Sequence, residues 1–268
     1  MQKVILVTGS TDGIGFETAK MLVSQGHHVL LHGRNLAKLK DVEEQLTQLQ
    51  GNGRLETYVA DLSKLSDVDV LANEITSNHS HLDALINNAG VYNAPVATTD
   101  DGFDLRYAVN TFAPYLLTKA LLSLLGQNGR VINLSSAAQA TVDLAALAGN
   151  KPLSAGDAYA QSKLAITMWS RSMGLALKDS GPMIASVNPK SLLGSKMVKN
   201  AFGIAGSDLS VGADILVRGA LSDEFANAHG LYFDNDIGQF GQPHPDALND
   251  QKVQAVMKAM NSALAKFQ

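Results

Sequence analysis

Short apolar runs alternate along the chain with stretches whose apolar residues recur at helical spacing. Val4–Val7 and residues 29–31, 55–60, 82–86, 131–134 and 184–187 are rich in Val, Ile and Leu at successive positions. Side chains on a strand point alternately to opposite faces, so such runs predict strands covered on both sides. Between the second and third runs, Leu36, Leu39, Val42, Leu46 and Leu49 fall on one stripe of a helix. The runs recur at intervals of about 25 to 50 residues, the spacing of strand–helix–strand crossovers in a parallel sheet. A seventh strand over 231–233 and a terminal helix over 250–267 are expected to complete the architecture. Within the helical stretch 105–125, Pro114 predicts a kink or a short break. No composition shift, repeat or low-complexity tract divides the chain, so residues 1–268 read as one domain. The least regular segments, 137–156 and 190–206, follow strands five and six and belong on the edge of the sheet that carries ligands.

Composition narrows the function without naming it. The chain has 268 residues, 46% hydrophobic and 17% charged, as a folded globular protein does. Its net charge of −4 argues against nucleic acid or an anionic membrane as the main partner. With no cysteine, a thiolate metal site, a disulfide scaffold and a cysteine nucleophile are excluded. The apolar run after Lys3 breaks at Thr8-Gly9, too short for a signal-peptide core. No continuous run approaches the roughly 18 apolar residues of a membrane helix. A cytoplasmic protein is therefore expected, and the N-x-[ST] matches at Asn78 and Asn133 read as chance. The seven histidines show no ligand spacing, and His27-His28 and His79-x-His81 are expected on solvated surface. Trp169 is expected in the core or at an interface.

The strongest local signal is Thr8-Gly9-Ser10-Thr11-Asp12-Gly13-Ile14-Gly15, directly after a strand and opening a helix. Glycines there let backbone approach a pyrophosphate, whose charge sits at the positive end of the helix. The spacing G-x-x-x-G-x-G, however, is not the usual dinucleotide pattern. It resembles that of the short-chain dehydrogenase/reductase family, and the resemblance continues in order along the chain. Asp61-Leu62 follows strand three, Asn87-Asn88-Ala89-Gly90 follows strand four, and Asn110 lies in the next helix. Ser135-Ser136 ends strand five, and Tyr159-x-x-x-Lys163 comes after it. The resemblance implies a single-domain Rossmann fold, a doubly wound parallel sheet of about seven strands with helices on both faces. It also implies cofactor contacts from Gly9, Ser10, Asp12, Gly13, Ile14, Gly15, Asp61, Leu62, Asn88, Ala89, Gly90 and Pro189.

The end of strand two bears on which cofactor is held. An enzyme that uses NAD places an acidic side chain there for the ribose hydroxyls. This chain has Gly33 instead, followed by Arg34 and Asn35. A guanidinium suits a 2′-phosphate, so NADP(H) is favoured over NAD(H). The competing reading makes Arg34 an exposed residue at the start of the next helix. Asp12 pulls the other way, since family members that prefer NADP often carry Lys or Arg at that place. Its other role is to cap the helix.

Tyr159 and Lys163 share a helix face, where an ammonium can stabilise a tyrosinate and bring the phenol toward neutrality. By resemblance, Tyr159 is the acid/base and Ser136 holds the substrate oxygen, with Ser135 as the alternative serine. Lys163 also binds the nicotinamide ribose, and Asn110 holds a water that relays protons to it. The implied substrate is a carbonyl or alcohol with a mostly apolar body, because Leu192, Leu193, Met197, Phe202 and Ile204 lie in the loop expected to close over it.

Two departures from the family stand out. Lys190 follows Pro189 where the family commonly has glycine, and it points outward, intrudes on the cofactor or reaches an acidic substrate group. The Ser136–Tyr159 interval is long, as in the retinol-dehydrogenase-like and WW-domain-oxidoreductase-like branches. The rival readings are a non-catalytic NADP(H)-binding regulator and a sugar-nucleotide epimerase-like enzyme. The intact proton-transfer set argues against the first and the chain length against the second. A homo-oligomer is expected, if at all, through 101–125 and 159–178, the helices many relatives use.

Overall fold

The structure is a computed structural model and describes residues 1–49 and 53–267. Eight strands form one sheet in the order β3-β2-β1-β4-β5-β6-β7-β8. They are β1 (Val4–Val7), β2 (His28–Gly33), β3 (Arg54–Val59), β4 (Ala84–Asn87), β5 (Arg130–Leu134), β6 (Met183–Asn188), β7 (Tyr232–Asp234) and β8 (Gln239–Gly241). The first seven run parallel, and β8 returns antiparallel against β7. The seven expected strands are all present, and β8 adds a three-residue edge strand without an apolar run. Leu231, expected in the seventh strand, precedes β7 and is exposed.

Alternation explains why the strands read as unbroken apolar runs. Ile5 pairs with Val29 on one side and Ala84 on the other, and all three face one core. Leu6, Leu30 and Leu85, one residue further along, face the other. Helices α1 (Gly13–Ser24), α2 (Leu36–Thr47) and α9 (Leu209–Leu221) cover the first face. The second is covered by α3 (Leu65–Asn78), α5 (Ala113–Leu125) and α7 (Ala155–Ala176).

The strand order reverses between β1 and β4, which opens a crevice outside their carboxyl ends. The glycine turn follows β1 and Asn88 follows β4, so both reach that crevice.

The helical stretch through Pro114 is neither kinked apart nor broken. A short α4 (Leu105–Tyr107) passes into a π-helical turn, Ala108–Phe112, and on into α5. Pro114 has no N–H to return to the carbonyl of Asn110, and the helix widens where that bond is missing. Among the described residues, Leu105–Leu125 is the helical run long and apolar enough to cross a membrane, and 72% of its apolar window is buried inside the domain.

The terminal helix α10 (Asp250–Ala263) is shorter than expected and gives way to a 3₁₀ turn at Ala265–Phe267. Its Val253, Val256 and Met260 are buried, and it packs on α7 and on the short α6 (Leu144–Leu147). The Tyr115 hydroxyl bonds Asn261, and Trp169 is buried edge-on to Tyr115 at 5.6 Å. Part of the α5–α7 surface considered for self-association is thus covered by the chain's own C-terminal helix.

The histidines need a correction too. His28 is buried and His79 half-buried, and they point Nε2 at opposite oxygens of Glu56, 2.9 and 3.1 Å away. Pairing of β2 with β3 brings them together, which spacing along the chain does not reveal. His81 is exposed as expected. Among the described residues, no group of His, Asp and Glu is arranged to hold a metal ion.

Candidate active site

The glycine turn is fixed by bonds from three strands. The Thr8 hydroxyl accepts the N–H groups of Asn88 and Ala89 at 3.0 and 3.1 Å. The Asn88 amide in turn donates to the carbonyls of Thr8 and Gly9. A Cβ on Gly15 would lie 2.2 Å from the Gly9 carbonyl oxygen and 2.4 Å from Asn88 Nδ2, so only glycine lets α1 meet the turn. Asp12 caps α1, its carboxylate accepting the Gly13 N–H at 2.8 Å. Its other oxygen pairs with Lys196, at the start of α8 (Lys196–Phe202). Ser10 does not face the cleft: it is fully buried and bonds the backbone of His32.

His32 supports this turn, and sequence reasoning missed it. Its Nδ1 accepts the Gly9 N–H at 3.1 Å, so the ring proton lies on Nε2, which donates to the Ala60 carbonyl at 3.1 Å. Burial pushes its pKa down to about 4, and the ring is neutral at physiological pH. The only sequence signal was its place at the end of a strand beside Gly33.

A cleft of about 690 Å³ runs from this turn along the carboxyl edge of the sheet. At one end it is lined by Gly33, Arg34, Asn35, Lys38, Asp61 and Leu62. A Cβ at Gly33 would lie 2.6 Å from the Thr11 methyl and 3.3 Å from Leu39, so no acidic side chain stands there without displacement. Asn35, not Arg34, caps α2 by accepting the Lys38 N–H. Arg34 and Lys38 thus put two cations at this end. Asp61 holds the start of the following turn through the Ser63 N–H and hydroxyl, at 3.0 and 2.7 Å.

The other end carries Ser136, Tyr159 and Lys163. Ser135 and Ser136 have separate fates. Ser135 is buried between the Lys163 carbonyl and the Thr167 hydroxyl. Ser136 lines the cleft near Tyr159, and its hydroxyl accepts the Ala138 N–H at 3.1 Å. Lys163, one turn along α7, is 3% exposed, and its ammonium donates to the Leu134 carbonyl at 2.7 Å.

The expected lowering of the tyrosine does not occur. Burial pushes the Tyr159 phenol up, partly opposed by the neighbouring Ser136 hydroxyl. Burial instead brings Lys163 down to about 7. The ammonium lies 5.7 Å from the centre of the Tyr159 ring and is committed to a carbonyl, so its charge does little for the phenolate.

Asn110 also departs from its expected role. It is fully buried in the π turn, and its amide accepts the Val91 N–H and donates to the Val91 carbonyl and Ser162. With all three contacts made, the side chain holds the Gly90–Tyr92 wall and does not open on the cleft. That wall contributes Tyr92, unanticipated from sequence, whose ring packs edge-on against Tyr159 at 4.9 Å. Gly90 and Ala89 line the cleft beside it.

Over this end lies the 190–206 segment. It is not irregular throughout, since α8 forms within it, capped by Ser195. Leu193 is buried, Leu192 and Ile204 are exposed, and Met197 lines the cleft. The Phe202 side chain lies outside the described residues. Pro189 lines the cleft, and Lys190 after it has φ 115°, with Leu192 at φ 55°. Side chains seldom adopt such angles, which cost on the order of 1–3 kcal/mol each. Lys190 is exposed, so its cost lies in the backbone and not in a side chain forced inward.

Comparison with known proteins fits this arrangement. Residues 3–203 match the short chain dehydrogenase family. Retinol dehydrogenase 11 of Homo sapiens is 36% identical over 203 residues, covering 74% of this chain and 64% of that protein. Polyprenol dehydrogenase of Homo sapiens is 32% identical over 209 residues, 75% of this chain and 63% of that protein. The chain therefore spans somewhat less than two thirds of the length of these relatives. Among solved structures, the promiscuous reductase LugOII, which catalyses keto-reduction at C1 in lugdunomycin biosynthesis, has 27% identity and a TM-score of 0.68, covering 88% of this chain and 96% of its own. A metagenomic short-chain oxidoreductase in complex with NADP has 27% identity and a TM-score of 0.61, covering 81% and 90%. Sheet order, glycine turn and the Ser–Tyr–Lys wall agree with the sequence match: the chain belongs to the short chain dehydrogenase family, in its retinol-dehydrogenase-like branch.

Proposed function

We propose that this chain is an NADP(H)-preferring oxidoreductase that interconverts a carbonyl and an alcohol on a mostly apolar small molecule. The observation that carries the proposal is the meeting of Ser136, Tyr159 and Lys163 on one wall of a cleft whose far end is the glycine turn. The turn fits a dinucleotide: Gly9, Gly13, Ile14 and Gly15 line it, and the close approach at Gly15 leaves the N-terminus of α1 open to a pyrophosphate. Arg34 and Lys38, with no room for an acid at Gly33, support NADP(H) over NAD(H). Asp12 does not undo this, because Lys196 neutralises it. The relatives named for retinol and polyprenol, together with Leu192 and Met197 at the cleft, support a long apolar alcohol or its carbonyl as substrate.

A bound nicotinamide supplies or accepts the hydride. The chain's own residues handle oxygen and proton. Ser136 donates a hydrogen bond to the substrate oxygen and sets its distance from Tyr159. In reduction, the Tyr159 hydroxyl gives its proton to that oxygen; in oxidation, the phenolate, which burial disfavours, takes one from the substrate hydroxyl. Lys163, brought down to about 7, reprotonates the phenol at neutral pH only after its ammonium leaves the Leu134 carbonyl. Tyr92 and the segment after Pro189 wall the reacting oxygen from water.

The test is oxidation of NADPH and of NADH against a panel of aldehydes, ketones and quinones, followed by absorbance. NADPH is expected to be better by about tenfold or more, a difference of about 1.4 kcal/mol, with long apolar carbonyls turned over best. A comparable preference for NADH overturns the cofactor assignment. NADPH binding without turnover of any compound overturns the enzymatic reading.

A further inference from the structure

The β7–β8 hairpin has no part in the chemistry above, yet it is tied to the cleft at one place. Asn188, the buried last residue of β6, donates from its amide to Asp234 and to Asp236, both at 2.8 Å. Asp236 also accepts the Ser191 N–H at 2.9 Å and the Ser191 hydroxyl at 2.6 Å. Next to it, Asn235 donates to the Pro189 carbonyl at 3.0 Å. The chain is thus gripped on both sides of Lys190, the residue at φ 115° where the family commonly has glycine. The charge of Lys190 is close enough to favour the ionised Asp236. A lysine keeps such a backbone only where its surroundings over-determine it. Pro189, Lys190 and Ser191 all line the cleft at the end that holds Tyr159.

We propose that Asp236 is a positioning residue: it clamps residues 189–191 in the geometry that a glycine at 190 would adopt unaided, and thereby shapes the nicotinamide end of the cofactor site. This rests on the NADP(H) reading above. The hairpin, the one antiparallel part of the sheet, compensates for the missing glycine. The clamp acts on the nicotinamide end only, because the adenine end is built from β1–β3 and, among the described residues, shares no hydrogen bond with the hairpin.

The experiment compares two ligands of the full chain. NADPH carries the nicotinamide; adenosine 2′,5′-bisphosphate carries the adenine, ribose and 2′-phosphate without it. Affinities are measured by calorimetry for the wild type, Asp236→Ala, Ser191→Ala, Lys190→Gly and the double variant Asp236→Ala/Lys190→Gly. Asp236→Ala removes three hydrogen bonds to a carboxylate, and is expected to weaken NADPH by about tenfold or more. The bisphosphate is expected to change by less than about twofold, as for a distant independent site. Ser191→Ala should shift NADPH in the same direction by less. In the double variant, NADPH affinity should return to within about threefold of the wild type, because glycine needs no clamp.

Equal weakening of both ligands by Asp236→Ala, no weakening of NADPH, or no rescue by Lys190→Gly overturns the proposal. If Asp236→Ala fails to fold by circular dichroism, Ser191→Ala with and without Lys190→Gly decides by the same contrast. A wild type that binds neither ligand contradicts the NADP(H) reading, and the proposal falls with it.

Discussion

The two ends of the cleft keep their shape by different means. At the adenine end the left-handed backbone positions are Gly9 and Gly13, and the turn is closed by Thr8, Asn88 and the neutral ring of His32. At the substrate end, besides Gly203 and Gly206, positive φ falls on Lys190 and Leu192, and side chains of the β7–β8 hairpin grip the residues on either side of Lys190. In the first region the residues suit their conformations. In the second the conformation is imposed from outside, so the two should respond oppositely to a change of one side chain.

The largest effect is expected at Gly15. Gly15→Ala puts a methyl 2.2 Å from the Gly9 carbonyl oxygen, inside the most constrained part of the turn. It should cost on the order of 3 kcal/mol or more and abolish NADPH binding, measured by urea unfolding and calorimetry. Lys190→Gly should do the reverse, raising stability by about 1 kcal/mol and the melting temperature by about 2–4 °C. If both substitutions lower stability alike, the contrast between the two ends fails.

Titration separates the same two regions by an effect smaller than that at Gly15. Lys163 has a pKa of about 7 in the folded protein against 10.5 in an ordinary lysine. Between those values the unfolded chain binds more protons, so stability rises with pH, and below about pH 7 the full burial cost of the ammonium is felt. Urea unfolding should therefore give a gain on the order of 2 kcal/mol from pH 7 to pH 9, absent in Lys163→Met. His32 works in another window. Its pKa of about 4 lies below the ordinary 6.5, so its contribution is lost as pH falls from 6.5 toward 4. A flat profile from pH 7 to 9 in the wild type would remove Lys163 as the near-neutral proton carrier.

Much of this was legible in the sequence, for local reasons. Strands covered on both faces read as apolar runs, and a strand–turn–helix junction shows its glycines. Tyr159 and Lys163 show their helical spacing. What escaped depends on contacts between residues far apart in sequence. β8 has only Gln239, Phe240 and Gly241 to announce it and forms because β7 offers an edge. His28 is buried and His79 half-buried because β3 delivers Glu56 between them. Ser10 lies within the glycine motif, yet its hydroxyl turns to β2. The tyrosine and lysine shifts follow from where the Lys163 ammonium finds its acceptor, the Leu134 carbonyl, and no spacing rule reports that. At Lys190 the sequence showed a departure from the family pattern, and only the fold showed the clamp that accommodates it.

Proton transfer through Tyr159 is the step on which the functional reading depends. The decisive measurement is NADPH affinity and turnover of Tyr159→Phe beside the wild type, with the best carbonyl substrate found. The ring and its packing against Tyr92 are kept, so NADPH should bind within about twofold while turnover falls by about 10²–10⁴. Undiminished turnover by Tyr159→Phe would contradict the assignment of the acid/base and the mechanism built on it.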